Sequence, residues 1–141
     1  MVIYKGHAKS MVEDIKSVIE DNHSDSFKDI VIGAFQINEL DYPCAHIIPD
    51  NSTYEGRSGY RTTVDINFYF ERDPDDYSYL TNMDAVDDTK DDIMIKLDSN
   101  TNFSEYKLTS EEFKVGEAGQ KMLNVYTLTF ETTWLIEFAD F

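Results

Sequence analysis

Two segments carry hydrophobic residues at helical spacing, and we predict each to be an amphipathic helix. The first spans 8–21, and Ser10 with Glu13 fits a capping box at its start. Its apolar positions are Met11, Ile15, Val18 and Ile19. The second spans 76–98 and follows the acidic, proline-containing segment 73–76, which is typical of a helix start. Its apolar positions are Leu80, Met83, Val86, Ile93 and Leu97.

Other segments alternate with period two or are continuously apolar, which predicts strands. Segment 60–71 alternates most regularly, with four side chains pointing inward: Val64, Ile66, Phe68 and Phe70. We predict further strands over 29–38, 44–48, 105–115 and 120–137. Segment 29–38 is apolar on both faces, which favours a central strand. A polar loop over 49–59 should connect two of the strands.

The last two predicted strands are joined at Gly116–Gly119, which indicates a hairpin. The final strand is unusually long for a small domain. We expect it to project beyond its own core, where it can pair with a neighbouring molecule or pack on it. The order of elements predicts one α+β domain over 1–141, with a mainly antiparallel sheet, two helices packed on one face and a long C-terminal hairpin.

The length and hydropathy of the chain favour a soluble protein with an ordinary core. No apolar run approaches the roughly 20 residues that span a bilayer. The first residues also lack the long apolar region of a signal peptide. We therefore expect no membrane partner and synthesis in the cytoplasm.

The chain is strongly acidic, with 28 Asp and Glu against 12 Lys and Arg and a net charge of −16. Such a charge repels nucleic acid phosphates. It can serve solubility, or it can reflect adaptation to high salt, where self-repulsion is screened over a few ångströms. Nine of the 12 basic residues are Lys, which extreme halophiles usually minimise. Both interpretations remain open.

Candidate chemistry is sparse. Cys44 is the only cysteine, which excludes an intrachain disulfide and nearly excludes a cysteine-based zinc site. On a strand, Cys44 and His46 share a face and could form a nucleophile and its base, but a small buried thiol is the preferred interpretation. The aspartates of 84–92 could hold a divalent cation, although their spacing matches no calcium loop and a solvated helix face is preferred. We predict no catalytic residue, no metal site and no cofactor.

A cluster of interface-prone residues stands out in the polar loop and the following strand start: Tyr54, Arg57, Tyr60 and Arg61. It holds two of the three arginines of the chain. In an acidic protein, these arginines suit contact with the acidic surface of a partner subunit. The alternative is salt bridging within the domain.

The order of the elements resembles that of a known family. A helix and a strand precede the Pro-bearing segment 42–49, a long strand over 62–71 leads into the helix 76–98, and an aromatic strand over 126–138 closes the chain. This layout, over nearly the whole chain, is similar to the tail terminator proteins of long-tailed bacterial and archaeal viruses, also called tail-to-head joining or tail completion proteins. The resemblance lies in layout and size, not in signature residues. Other neck and head-completion proteins of such virions share similar layouts.

The resemblance implies a virion structural protein without an active site. It would form a homo-hexameric ring on the head-proximal end of the tail tube, end tube growth and join the tail to the head-tail connector protein. Six copies of −16 carry −96, so DNA would pass an acidic lumen without specific binding. The protein would reside in the virion, and in the host cytoplasm during assembly. The acidic composition would suit a virus of a salt-loving archaeon.

Three regions are then expected to make contacts between subunits or with partners: loop 49–60, the hairpin around 116–121 and the strand 122–137. The candidate interface residues are Tyr54, Arg57, Tyr60, Arg61, Glu117, Lys121 and Tyr126.

Two other classes remain as alternatives. A small acidic binding module that mimics DNA would be a monomer or dimer with its acids concentrated on one face. A cysteine- or metal-dependent hydrolase would place Cys44 close to a histidine, or hold an ion between Asp84 and Asp88.

Overall fold

The computed structural model describes residues 7–33, 41–55, 59–72, 79–99, 103–118 and 121–134. These residues form two helices and five strands in one sheet. In chain order the elements are α1 (His7–Asn22), β1 (Asp29–Ile32), β2 (Cys44–Glu55), β3 (Gly59–Glu71), α2 (Tyr79–Ser99), β4 (Phe103–Ala118) and β5 (Lys121–Trp134). The strand order is β1-β2-β3-β5-β4, and of these pairings only β1 with β2 is parallel. The predicted α+β class with a mainly antiparallel sheet is confirmed.

Both predicted helices are present, with small shifts in their ends. The first, α1, begins at His7, so Ser10 lies inside the helix and the predicted capping box does not mark its start. The backbone N–H of His23 donates to the carbonyl of Ile19 at 2.9 Å and closes the last turn. The second, α2, ends at Ser99, and its predicted start over 73–76 lies outside the described residues.

The predicted loop over 49–59 is wrong for its first half, because β2 continues to Glu55. Asp50 forms a bulge between Pro49 and Asn51, after which the ladder with β3 resumes. A proline has no N–H for the ladder, and a bulge absorbs that irregularity without ending the strand. Thr and Tyr in the following residues favour extended backbone. The predicted loop residues 56–58 lie outside the described residues.

The strand predicted over 29–38 is described as far as Gly33, and within that part β1 ends at Ile32. Among the described strands, β1 stands at the end of the order, next to β2, and not in the centre. Gly33 adopts a φ of 85°, a conformation that an extended strand does not use, while its N–H donates to the carbonyl of Ile47 at 3.0 Å. Positions 34–38 fall outside the described residues.

The last two strands pair along their whole lengths, from Phe103 with Trp134 to Ala118 with Lys121. Of the turn expected at Gly116–Gly119, positions 116–118 belong to the β4–β5 ladder, and position 119 lies outside the described residues. One extra residue, Thr109, forms a bulge in β4 between Leu108 and Ser110. Its hydroxyl donates to the carbonyl of Thr129 at 3.2 Å, so the bulged residue remains anchored to β5. The predicted extension of the last strand over 135–137 lies outside the described residues.

The core is built on one face of the sheet, here called the core face. The predicted inward set of β3 is confirmed, since Val64, Ile66, Phe68 and Phe70 are all buried. Buried side chains of both helices join the same cluster, among them Ile15 and Ile19 of α1 and Ile93 and Leu97 of α2. Burying a side chain of this size stabilises the fold by about 1.5–3 kcal/mol.

The opposite side of the sheet, here called the second face, carries a smaller buried cluster. It consists of Tyr42, Cys44, Tyr69, Leu123 and Val125. Polar side chains of β3 and β5 continue this face along the sheet. The sheet is therefore apolar on the core face and mixed on the second face.

Candidate functional site

The predicted interface residues of the β2–β3 connection lie together at one end of the sheet. Tyr54 pairs with Tyr60, and Thr53 pairs with Arg61. The backbone of the two strands thus brings three of the four predicted positions side by side. The fourth, Arg57, lies outside the described residues.

Arg61 also makes a contact within the chain. Its Nε lies 3.5 Å from Oε1 of Glu131, and Nζ of Lys107 lies 3.4 Å from the same oxygen. The alternative interpretation, salt bridging within the domain, thus describes part of what Arg61 does. Its side chain is nevertheless 43% exposed.

The predicted residues of the β4–β5 connection lie at the other end of the sheet. Glu117 is exposed and pairs with Met122, and Lys121 begins β5. The β3–β5 ladder runs from Tyr60 with Trp134 to Glu71 with Leu123. At ~3.3 Å per residue, this ladder separates the two ends by about 36 Å.

Tyr126 belongs to neither end. Its side chain is 1% exposed and lies in the core. The ring packs edge-on against Phe70 at 5.5 Å and against Phe113 at 5.2 Å between centroids. In the single chain, this residue therefore contributes to the core and presents no free surface to a partner.

An apolar surface near the β4–β5 connection was not among the predicted interface residues. Phe113, Val115 and Met122 are 46%, 52% and 42% exposed. Phe113 packs edge-on against the core residue Tyr126, and Val115 and Met122 continue the same face by strand alternation. We call these three residues the distal apolar patch. The signal in the sequence was the apolar pair Phe113 and Val115 within an otherwise charged strand.

A chain of polar side chains crosses the second face. The Thr127 hydroxyl donates to Oδ1 of Asn67 at 2.7 Å, and Nδ2 of Asn67 donates to the Tyr69 hydroxyl at 3.1 Å. That hydroxyl lies 3.5 Å from Nδ1 of His46, whose Nε2 contacts the carbonyl of Gly33. Because a carbonyl only accepts, Nε2 carries the proton and Nδ1 is the acceptor for Tyr69. These hydrogen bonds link β5, β3 and β2, and each group donates to the next one in the series. They form a structural network.

The only cysteine is poorly suited to nucleophilic chemistry. Cys44 is fully buried. Burial first, and then the nearby charge of Asp29, raise the pKa of the Cys44 thiol to about 12. Catalytic thiolates need the opposite environment, exposed and electropositive. On the same face, His46 has its Nε2 engaged with the Gly33 carbonyl.

The acidic stretch of α2 forms a solvated surface. Asp84, Asp87, Asp88 and Asp91 are exposed, while Oδ2 of Asp92 lies 2.6 Å from Nε2 of His23. Within the described ranges, no group of three or more His, Cys, Asp or Glu side chains is arranged to hold a metal ion.

An open cavity of about 310 Å³ lies beside the start of α2. It is lined by Lys28, Tyr42, Pro43, Phe70, Glu71 and Asn82. Burial, followed by neighbouring Cys44, Glu71 and Tyr69, raises the pKa of Tyr42, which remains a neutral donor near neutral pH. The lining mixes one cation, one anion and neutral groups and fits no particular cofactor.

No helix in the described part of the chain is both long and apolar enough to cross a membrane. No protein family model matches the chain, and no curated protein matches it significantly.

Proposed function

We propose that this protein is a virion structural protein of the tail terminator type. It forms a ring on the head-proximal end of the tail tube, ends tube growth and joins the tail to the head-tail connector protein. The runner-up within the same virion is another neck or head-completion protein. Contacts between subunits and partners carry the function in either case, with no chemical step.

The observation that carries the proposal is the position of the two predicted contact regions. The β2–β3 connection and the β4–β5 connection lie at opposite ends of one sheet, about 36 Å apart at ~3.3 Å per residue. A joining protein must touch one partner on each side, and a rigid sheet with a contact region at each end suits that task. Arg61 at one end and Glu117 at the other also offer opposite charges.

The distribution of acidic residues favours this proposal over a DNA-mimicking module. Exposed carboxylates occur on α1, α2, β2 and β4, for example Glu20, Asp88, Asp50 and Glu112. A mimic of DNA needs its acids on one face at phosphate spacing. Charge spread over several elements instead suits a particle that needs solubility and does not retain passing DNA.

The first experiment measures the mass of the purified protein in low and high salt and images it by negative-stain electron microscopy. We expect rings of a fixed number of subunits, formed in high salt or on added tail tubes. A protein that stays monomeric in every salt and leaves tail tubes uncapped would refute the proposal.

Variants at the two ends then separate the two partners. We expect Arg61→Glu to impair one contact, with the tail tube or the neighbouring subunit, and Glu117→Lys to impair the contact with the adjacent ring. Lys96→Glu and Asp98→Lys, exposed substitutions on α2 with the same charge changes, serve as controls. If the end variants and their controls assemble equally well, the two ends do not carry the contacts.

A further inference from the structure

We propose that β4 binds β4 of a second copy of this chain, antiparallel about a two-fold axis at Phe113, so that the two sheets join into one. This inference concerns the outer edge of β4 and stands independently of the tail terminator proposal.

The first observation is the position of β4. It is the last strand in the described sheet order and pairs only with β5 there, so the other side of its backbone carries ladder donors and acceptors without a strand partner among the described residues. Such an edge is a template for another strand. From Ser110 to Gly116 it is regular, since the bulge at Thr109 lies just before this stretch.

The second observation is the distal apolar patch on the core face. In a self-pairing centred on Phe113, this residue lies opposite its own copy, and Val115 lies on the next core-face position of each strand. The half-exposed Phe113 side chains of the two copies would then meet at the axis, with Val115 of each strand opposite Glu111 of the other and Met122 of each β5 farther along the same face. Cross-strand aromatic pairs of this kind stabilise antiparallel sheets.

The third observation fixes the register and the partner. Glu112 and Lys114 flank Phe113 and point to the second face, opposite Thr127 and Val125 of β5. In the proposed register, Glu112 of each copy lies opposite Lys114 of the other, which makes two complementary pairs. A shift of the axis to residue 112 or 114 would instead oppose like charges, which destabilises a sheet. Of the three alignments, centred on residues 112, 113 and 114, only the one centred on Phe113 places opposite charges across from each other.

The test measures the dimer dissociation constant by sedimentation equilibrium in ~0.15 M salt. We expect a concentration-dependent dimer for the natural sequence. Lys114→Glu should raise the dissociation constant about tenfold or more, because both complementary pairs become like-charge pairs. The control Lys96→Glu changes the net charge equally, from −16 to −18, but lies on α2.

The variant Glu112→Lys provides the sharper comparison. It reduces the magnitude of the net charge from −16 to −14, which by total charge alone should favour association, yet the register predicts weaker association. Its control, Asp98→Lys on α2, makes the same change of net charge without touching β4. Mixing the Lys114→Glu and Glu112→Lys proteins should restore dimers, since each then meets opposite charges at both positions.

Circular dichroism checks that each variant is folded. A natural chain that stays monomeric, a Lys114→Glu protein that behaves like Lys96→Glu, or a mixture that fails to restore dimers would each overturn the inference. A ring built through the 49–60 region would persist in all four variants, so loss of pairing at β4 and loss of the ring are separate results.

Discussion

Phe68 shows what a single side chain contributes to this fold. It is fully buried in the middle of β3, and its ring centroid lies 5.1 Å from that of Phe27. We expect Phe68→Ala to lower the free energy of unfolding by about 3–5 kcal/mol, because it removes apolar burial and leaves a cavity. Urea unfolding followed by circular dichroism measures this loss. Leu80→Ala, at a site 73% exposed, should change stability by no more than about 0.5 kcal/mol; equal losses would contradict the assigned core.

The buried Cys44 thiol makes the stability of the protein depend on pH. Its pKa is raised from 9.0 to about 12, mainly by burial. The folded state thus favours the protonated thiol, and this contribution to stability is present below pH 9 and is lost as the pH rises through 12. Between these values, we expect the natural protein to lose more stability than Cys44→Ala, as measured by urea midpoints at several pH values. Parallel curves for the two proteins would show that the thiol is not shielded.

Among the elements, His23, directly after α1, forms a hydrogen bond with Asp92 of α2. Their Nε2 and Oδ2 atoms lie 2.6 Å apart, and the His23 side chain is 11% exposed. We expect Asp92→Ala to lower the free energy of unfolding by about 1 kcal/mol, because the partly buried imidazole loses its hydrogen-bond partner. The neighbouring exposed Asp91→Ala should have little effect. A double-mutant cycle with His23→Ala measures the pair, and additive losses would exclude a coupling between the helices.

Elements with strong periodicity were predictable from the sequence, and those that depend on distant partners were not. The alternating strand β3 and the helix α1 bury the side chains that their patterns indicate. The second half of β2 is polar and contains the Pro49 bulge, so its strand character comes from the ladder with β3. Likewise, nothing local to β1 shows that it pairs in parallel with β2 at the end of the described order.

For the molecule as a whole, the net charge of −16 should make stability depend on salt. Exposed carboxylates repel one another, and salt shortens the Debye length from about 10 Å at 0.1 M to about 3 Å at 1 M. We therefore expect the melting temperature to rise with sodium chloride. Replacing Asp84, Asp88 and Asp91 with Asn brings the charge to −13 (−16 plus three) and should flatten that rise. A melting temperature that falls with salt would show that specific ion pairs outweigh the general repulsion.

In the candidate site, the local sequence indicated which residues are prone to form interfaces, but the strand pairing decides where they lie. The composition of the loop indicated Tyr54, Tyr60 and Arg61, and the strand pairing places them together. Tyr126 lies on the strand predicted to make contacts between subunits, but its ring lies in the core, because its position in the alternation falls on the core face. The separation of the two contact regions follows from the length of the paired strands, which no single segment specifies.

The bulge at Thr109 changes which residues of β4 face the core. Before it, even-numbered residues such as Leu108 face the core, and after it odd-numbered residues such as Phe113 do. Deleting Thr109 would therefore restore regular alternation and leave every other side chain on its present face. Deleting Glu112 would instead move the side chains on one side of the deletion to the opposite face of the sheet, and charged residues would then lie on the core face. Deletion of residue 109 should thus be tolerated during evolution, whereas single deletions elsewhere between Glu105 and Ala118 should be selected against.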